Sequence, residues 1–211
     1  MSDERRRRCW WAPIYDRANG PVERAVLAEH RAYLLRRLGG VILDVGAGTG
    51  VNLPYFRAAA RVVAAEPDPG MRKRLVGKVE SAPCPVEVLD AVAERVPADD
   101  ESFDAVVFTL VLCSVTDVNA ALAEARRTLK PGGRLVVLEH VRGTGSLARW
   151  QDRITPVWSR LVGGCHPNRD IESALRTAGF TTAECERFDR FPRLVPTRPL
   201  LRATATRSAV A

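Results

Sequence analysis

From Val41 onward, short β-branched runs alternate with stretches of helical period, the pattern of βαβ units laid on a parallel sheet. The run V-I-L-D-V at 41–45 is almost wholly apolar, which suits a strand covered on both faces. Further runs of this kind are R-V-V-A-A-E at 61–66, V-E-V-L-D at 86–90, F-D-A-V-V-F-T-L at 103–110 and R-L-V-V-L-E-H-V at 134–141. The spacing predicts helices over 21–38, 68–79, 117–129, 147–161 and 169–178. Pro21 suits a first helical turn, Asp117 should cap its helix, K-P-G-G should stop it, and Pro156 should interrupt the 147–161 helix. In the tail, T-T-A-E-C-E-R-F at 181–188 and L-L-R-A-T-A-T-R at 200–207 have no helix between them, so they should pair antiparallel.

Composition narrows the class. The 211 residues, 46% hydrophobic and 27% charged, match one globular domain with elements at its ends. No apolar run approaches the roughly 20 residues needed to cross a bilayer. The opening M-S-D-E-R-R-R-R-C-W-W-A-P-I-Y has no long apolar stretch after its basic cluster, so no cleaved secretion signal is expected and the compartment is read as cytoplasmic. The five cysteines include no C-x-x-C pair, which argues against a disulfide framework and a zinc site.

The net charge of +7 is uneven. Residues 1–40 carry nine Arg against five acids and residues 187–211 six Arg against one, whereas the middle has 17 bases against 19 acids. Basic ends could meet nucleic acid or an anionic surface. A general Arg preference explains them as well, since 29 of the 32 bases are Arg and no aromatic-rich RNA-reading motif accompanies them. Nucleic acid is therefore disfavoured as a partner, and weak membrane-surface contact stays open.

The most informative stretch is D-V-G-A-G-T-G at 44–50, directly after the first strand and before a helix expected near Asn52. Gly46, Gly48 and Gly50 let the backbone turn sharply and approach a ligand without Cβ obstruction. In doubly wound sheets this loop lies where nucleotide-like ligands bind. A dinucleotide fingerprint needs G-x-G-x-x-G, but Val51 stands where the third glycine belongs, and no G-K-[ST] is present. Glu66, at the end of the second strand, can accept hydrogen bonds from the hydroxyls of a ribose.

These stretches resemble the class I S-adenosylmethionine-dependent methyltransferases over about residues 12–211. D-V-G-A-G-T-G is similar to that family's first motif, Glu66 to its ribose acid, A-E-R-V-P at 93–97 to its adenine-side loop, and L-K-P-G-G-R-L-V-V-L-E-H-V to its fifth-strand turn and strand. T-L-V-L-C-S-V at 109–115, E-H-V at 139–141 and G-C-H-P-N-R-D at 164–170 resemble the methyltransferase-like 7 group of alkyl-thiol methyltransferases. That group's apolar N-terminal anchor is replaced here by four arginines and W-W-A-P-I.

The resemblance implies a Rossmann-like α/β fold: a seven-stranded, mostly parallel sheet in the order 3-2-1-4-5-7-6, last strand antiparallel, helices on both faces. It implies one domain over 1–211, with 1–40 as an N-terminal lid and helices and 143–170 as a helical acceptor-pocket insertion. It implies S-adenosyl-L-methionine as cofactor, held by Asp44, Gly46, Ala47, Gly48, Gly50, Asn52, Glu66, Pro67 and Thr109, with Asp90 or Ala93 at the adenine and Tyr15 on the lid.

At the acceptor end the candidates are Cys113, Glu139, His140 and His166. His140, closing a central strand, is the favoured base or orienter. Cys113 fits an apolar wall better than a nucleophile, because methyl transfer from a sulfonium needs no enzyme thiolate. Cys165-His166 is half a metal site, so no metal is expected. Trp150, Trp158 and Phe191 could line an apolar pocket or pack the core. The expected reaction is methyl transfer to a small, fairly apolar acceptor, a thiol first and a phenol, quinone-like molecule or amine next, by a monomer or homodimer. The alternatives are a nicotinamide-dependent oxidoreductase and a non-catalytic nucleic-acid-binding protein.

Overall fold

The computed structural model describes residues 20–21, 23–192 and 195–207, so Tyr15 and half of the expected 1–40 lid segment lie outside the described residues. A π-helical turn, Glu23–Leu27, runs into α1 (Ala28–Leu35), and β1 (Gly40–Val45) follows. The remaining elements are β2 (Ala59–Ala65), α2 (Pro69–Val79), β3 (Val86–Leu89), β4 (Phe103–Thr109), α3 (Val118–Thr128), β5 (Leu129–His140), α4 (Gly145–Leu161), α5 (Ile171–Thr177), β6 (Phe180–Phe188) and β7 (Leu200–Arg207). The seven strands form one sheet in the order β3-β2-β1-β4-β5-β7-β6. β1 pairs parallel with β2 and β4, and β7 runs antiparallel to both β5 and β6.

Side chains alternate between two cores, which is why the central strands read as unbroken apolar runs. On one face, Leu43, Val106, Phe108 and Val137 pack with Leu122 of α3 and Leu175 of α5. On the other, Ile42, Val107 and Val136 pack with Leu35 of α1 and Leu75 of α2. Strand order reverses between β1 and β4, whose parallel register runs to Val45 opposite Phe108, so the loops leaving both strands open side by side.

Three local expectations need correction. The helix expected near Asn52 is only a 3₁₀ turn, Leu53–Tyr55, because Leu53 and Phe56, three apart, are both buried and dock on one side of a tight turn. Helix α4 passes through Pro156 without a break. Pro156 and Asp152, whose carbonyl loses its partner, are both exposed, so water can satisfy it. β5 begins at Leu129, ahead of the expected Arg134: Leu129 pairs with Phe103 and the register shifts across Pro131–Gly133.

The basic C-terminal stretch is largely spent on internal acids. Arg187, Arg198, Arg202 and Arg207 pair with Glu172, Asp189, Glu186 and Glu101. Among the described residues no helix is long and apolar enough to cross a membrane.

Candidate active site

The glycine loop is shaped by backbone that only glycine adopts cheaply. Gly46 has φ +60°, and a Cβ there would stand 2.6 Å from the Val111 side chain on the loop after β4. Gly48 has φ +59°, and among the described residues a Cβ there would meet nothing closer than the Gly46 carbonyl at 3.9 Å. Glu66 braces this turn: its carboxylate accepts the Gly48 amide at 2.8 Å and the Asp68 amide at 2.8 Å. Burial raises its pKa, and those two amides work against the rise.

Beneath the loop lies a buried polar chain. Asn52 donates to Asp44 at 2.7 Å and to the Thr109 hydroxyl at 2.9 Å, tying the ends of β1 and β4 together. Arg31 donates to the Asn52 carbonyl oxygen and, at 2.7 Å, to Glu23. Asp44 is completely buried, one of its oxygens has no hydrogen-bond partner among the described residues, and burial lifts its pKa to about 7. Sequence reasoning missed Arg31, although a signal existed. Leu27, Leu34, Leu35 and Leu38 form the apolar stripe of this segment, and Arg31 sits in the middle of it.

A cavity of about 270 Å³ opens over these loops, lined by Gly46, Gly48, Glu66, Pro67, Met71, Val92, Ala93, Val111 and Ser114 among others. The structure therefore brings Gly46, Gly48, Glu66, Pro67 and Ala93 together. Asp44, Ala47, Gly50, Asn52 and Thr109 are buried and are not among the residues that line it. Asp90 does not line this cavity: exposed, it pairs with Arg72 at 2.8 Å, whereas Val92 and Ala93 do line it.

The loop after β4 is held from below. Leu110 has φ +60°, costly for a branched side chain, and persists because its neighbours over-determine it. Glu139, fully buried on β5, accepts the amides of Val111 at 2.5 Å, Leu112 at 2.7 Å and Cys113 at 3.4 Å. That carboxylate is engaged by main chain, so Glu139 positions the loop and has no room to act on an acceptor. From the other side, Arg169 donates to the Leu112 and Val115 carbonyls at 2.5 and 2.7 Å, and the His166 amide donates to the Cys113 carbonyl at 2.7 Å.

In the middle of this loop Cys113 meets His140 and Cys165, the donor atoms of the three all within 4.8 Å of one another. The two thiols share a contact that raises Cys113 well above the ordinary range and lowers Cys165. Burial pulls His140 down, but hydrogen bonding to Cys113 and the charge of Glu139 leave it above the usual histidine value. His166 is not part of this group: its ring bonds the Gly164 carbonyl at 2.6 Å. Phe191 packs against the α1 side of the core. Gln151 of α4, also missed, is fully buried and bonds Gly143, Pro167 and Pro196 main chain, fastening the 143–170 segment to the rest.

A methyltransferase-domain family matches residues 43–137. The demethylmenaquinone methyltransferase of Clavibacter sepedonicus is 34% identical over 170 residues, which cover 69% of this chain and 67% of that one. Geranyl diphosphate methyltransferase, solved in complex with SAM, has the same fold, with a TM-score of 0.68 at 15% identity over 86% of this chain and 84% of that one. The chain belongs to the class I S-adenosylmethionine-dependent methyltransferases. Within that family it is also similar to human thiol S-methyltransferase TMT1A, 36% identical over 145 residues that cover 66% of this chain. The match spans 59% of the length of TMT1A.

The family's methyl donor, S-adenosyl-L-methionine, fits the residues present. Gly48 leaves open the space a side chain would fill. Glu66 lines the cavity with acceptor capacity left on both oxygens. Asp44 adds an unpartnered buried carboxylate oxygen beneath the glycine loop.

Proposed function

We propose that this methyltransferase acts on the sulfur of a small, fairly apolar thiol. The observation that carries the reading is the placement of Cys113, His140 and Cys165 beside the loop that lines the cavity, next to its lining residues Ser114 and Gly163. The similarity to TMT1A supports the same acceptor class.

In this reading the chain works as one domain over 1–211, with the 143–170 segment on the acceptor side. Gly46, Gly48, Glu66, Pro67 and Ala93 hold the cofactor, which supplies an electrophilic methyl group on a sulfonium. The protein's own contribution is to fix both reactants in line and keep water out. Glu66 accepts from the ribose hydroxyls, and Asp44 supports the loop. The Cys113, His140 and Cys165 group is where the acceptor loses its proton.

The second reading is methylation of a quinol-like ring, favoured by the similarity to the Clavibacter demethylmenaquinone methyltransferase. The test is a panel of alkyl thiols, reduced naphthoquinones, phenols and amines, scored by formation of S-adenosylhomocysteine. Turnover on thiols with none on the quinols is the expected outcome. Turnover confined to the quinols replaces the first reading with the second, and a calorimetric titration showing no binding of S-adenosylmethionine removes both.

A further inference from the structure

We propose that Cys113, His140 and Cys165 form a three-donor site for a thiophilic divalent cation of the zinc class, whose fourth position takes the acceptor's sulfur. The clause about the acceptor rests on the thiol reading above; the metal site does not.

One pair of donors already stands at the spacing of ligands around one ion, and the third lies close by. Cys165 Sγ lies 3.7 Å from His140 Nδ1, and the donor atoms of all three residues fall within 4.8 Å of each other. Tetrahedral zinc, with Zn–S near 2.3 Å and Zn–N near 2.0–2.1 Å, sets its donors about 3.5–3.8 Å apart. Two sulfurs and an imidazole are a soft set, suited to zinc and not to magnesium or calcium. Three protein donors with one position open is the arrangement of catalytic zinc, whereas structural zinc closes all four.

The donors come from three segments whose main chain is fixed independently of them. Cys113 is on the loop held by Glu139 and Arg169, His140 ends β5, and Cys165 follows α4. The Cys165 amide is bonded to the Val162 carbonyl at 2.9 Å, and the His166 amide locks this turn onto Cys113. A frame of this kind holds ligands in place before an ion arrives. The buried Trp158 indole N–H, on the last turns of α4, faces the Cys165 thiol and favours its thiolate, a donor available to a coordinated sulfur. The absence of a C-x-x-C pair had argued against zinc, but the fold assembles the ligands from positions 113, 140 and 165.

Such an ion would do specific work on a thiol. As the acceptor's sulfur enters the open position, its S–H bond gives way to a sulfur–metal bond and the proton leaves to water. A free thiol of pKa near 8.5 is only about 3% ionised at pH 7, whereas a coordinated one is held as thiolate. Coordination also tempers nucleophilicity, so the net gain is about tenfold at pH 7, falling as pH rises through 8.5.

The experiment uses the reduced full-length chain, stripped with chelator and titrated with Zn²⁺ and with Co²⁺ alone. The expected result is about one equivalent bound, with a thiolate-to-cobalt charge-transfer band that is lost in Cys165→Ser and Cys113→Ser and kept in Cys185→Ser, an exposed thiol on β6. Absence of binding by the reduced wild-type chain overturns the site, as does binding that survives both Cys113→Ser and Cys165→Ser. So does a thiol count showing that Cys113 and Cys165 exist only as a disulfide. Restoring zinc to the stripped enzyme should raise thiol methylation about tenfold at pH 7 and flatten its pH profile. Equal rates with and without zinc overturn the acceptor clause while leaving the thiol reading standing. Zinc bound with no turnover on any thiol supports the metal site and overturns the thiol reading instead.

Discussion

The carboxylate of Glu139 accepts the backbone amide of Leu112 at 2.7 Å, so the end of β5 dictates the shape of the loop that leaves β4. One buried acid thereby holds the loop that carries both Cys113 and residues lining the cavity.

Replacing it as Glu139→Gln puts an N–H₂ group among amide donors and leaves buried N–H groups unmet. The expected cost is roughly 1–3 kcal/mol of unfolding free energy, read from the urea midpoint at constant slope. A midpoint equal to wild type would show that the three amides do not depend on this carboxylate.

Gly48→Val tests the cavity. A branched side chain at φ +59° is strained, and its atoms would occupy the open space facing the ligand. Binding of S-adenosylhomocysteine should weaken by about tenfold or more while the fold survives, as the strain is only about 1–2 kcal/mol. Unchanged affinity by calorimetry would place the cofactor elsewhere.

Asp44 makes stability depend on pH with a definite sign. Burial holds its proton in the folded chain up to about pH 7, whereas the unfolded chain releases it near 3.8. Between those values the folded state binds more protons, so stability falls as pH rises through the window, by at most roughly 4 kcal/mol. Asp44→Asn should flatten that slope in denaturant titrations between pH 4 and about 7. A slope unchanged by the substitution would mean that Asp44 is ionised in the folded protein.

Arg31→Leu would strand Glu23 and the Asn52 carbonyl oxygen that Arg31 now satisfies. Removing one member of a buried charged network costs about 3–5 kcal/mol, and the loosened Asn52 should weaken cofactor binding as well. Wild-type stability together with wild-type affinity would show that the N-terminal helix does not support the glycine loop.

Much of this molecule was legible in the linear chain because the signals are local. Unbroken apolar runs mark strands covered on both faces, Asp68, Asp117 and Asp170 cap their helices through side-chain bonds, and alternate glycines after an acid announce a ligand loop. Where local signals misled, packing decided: Leu53 and Phe56 held a single turn where a helix was expected.

The sequence by itself therefore determined the elements, their order and the glycine and carboxylate chemistry of the cofactor loop, since each depends on residues a few positions apart. Only the tertiary structure decided that Glu139 holds a loop 28 positions earlier, that Arg31 reaches Asn52, and that Cys113, His140 and Cys165 meet. The parallel sheet gathers the carboxyl ends of distant strands at one edge, and a meeting made by such crossovers leaves no periodicity or spacing along the chain to read.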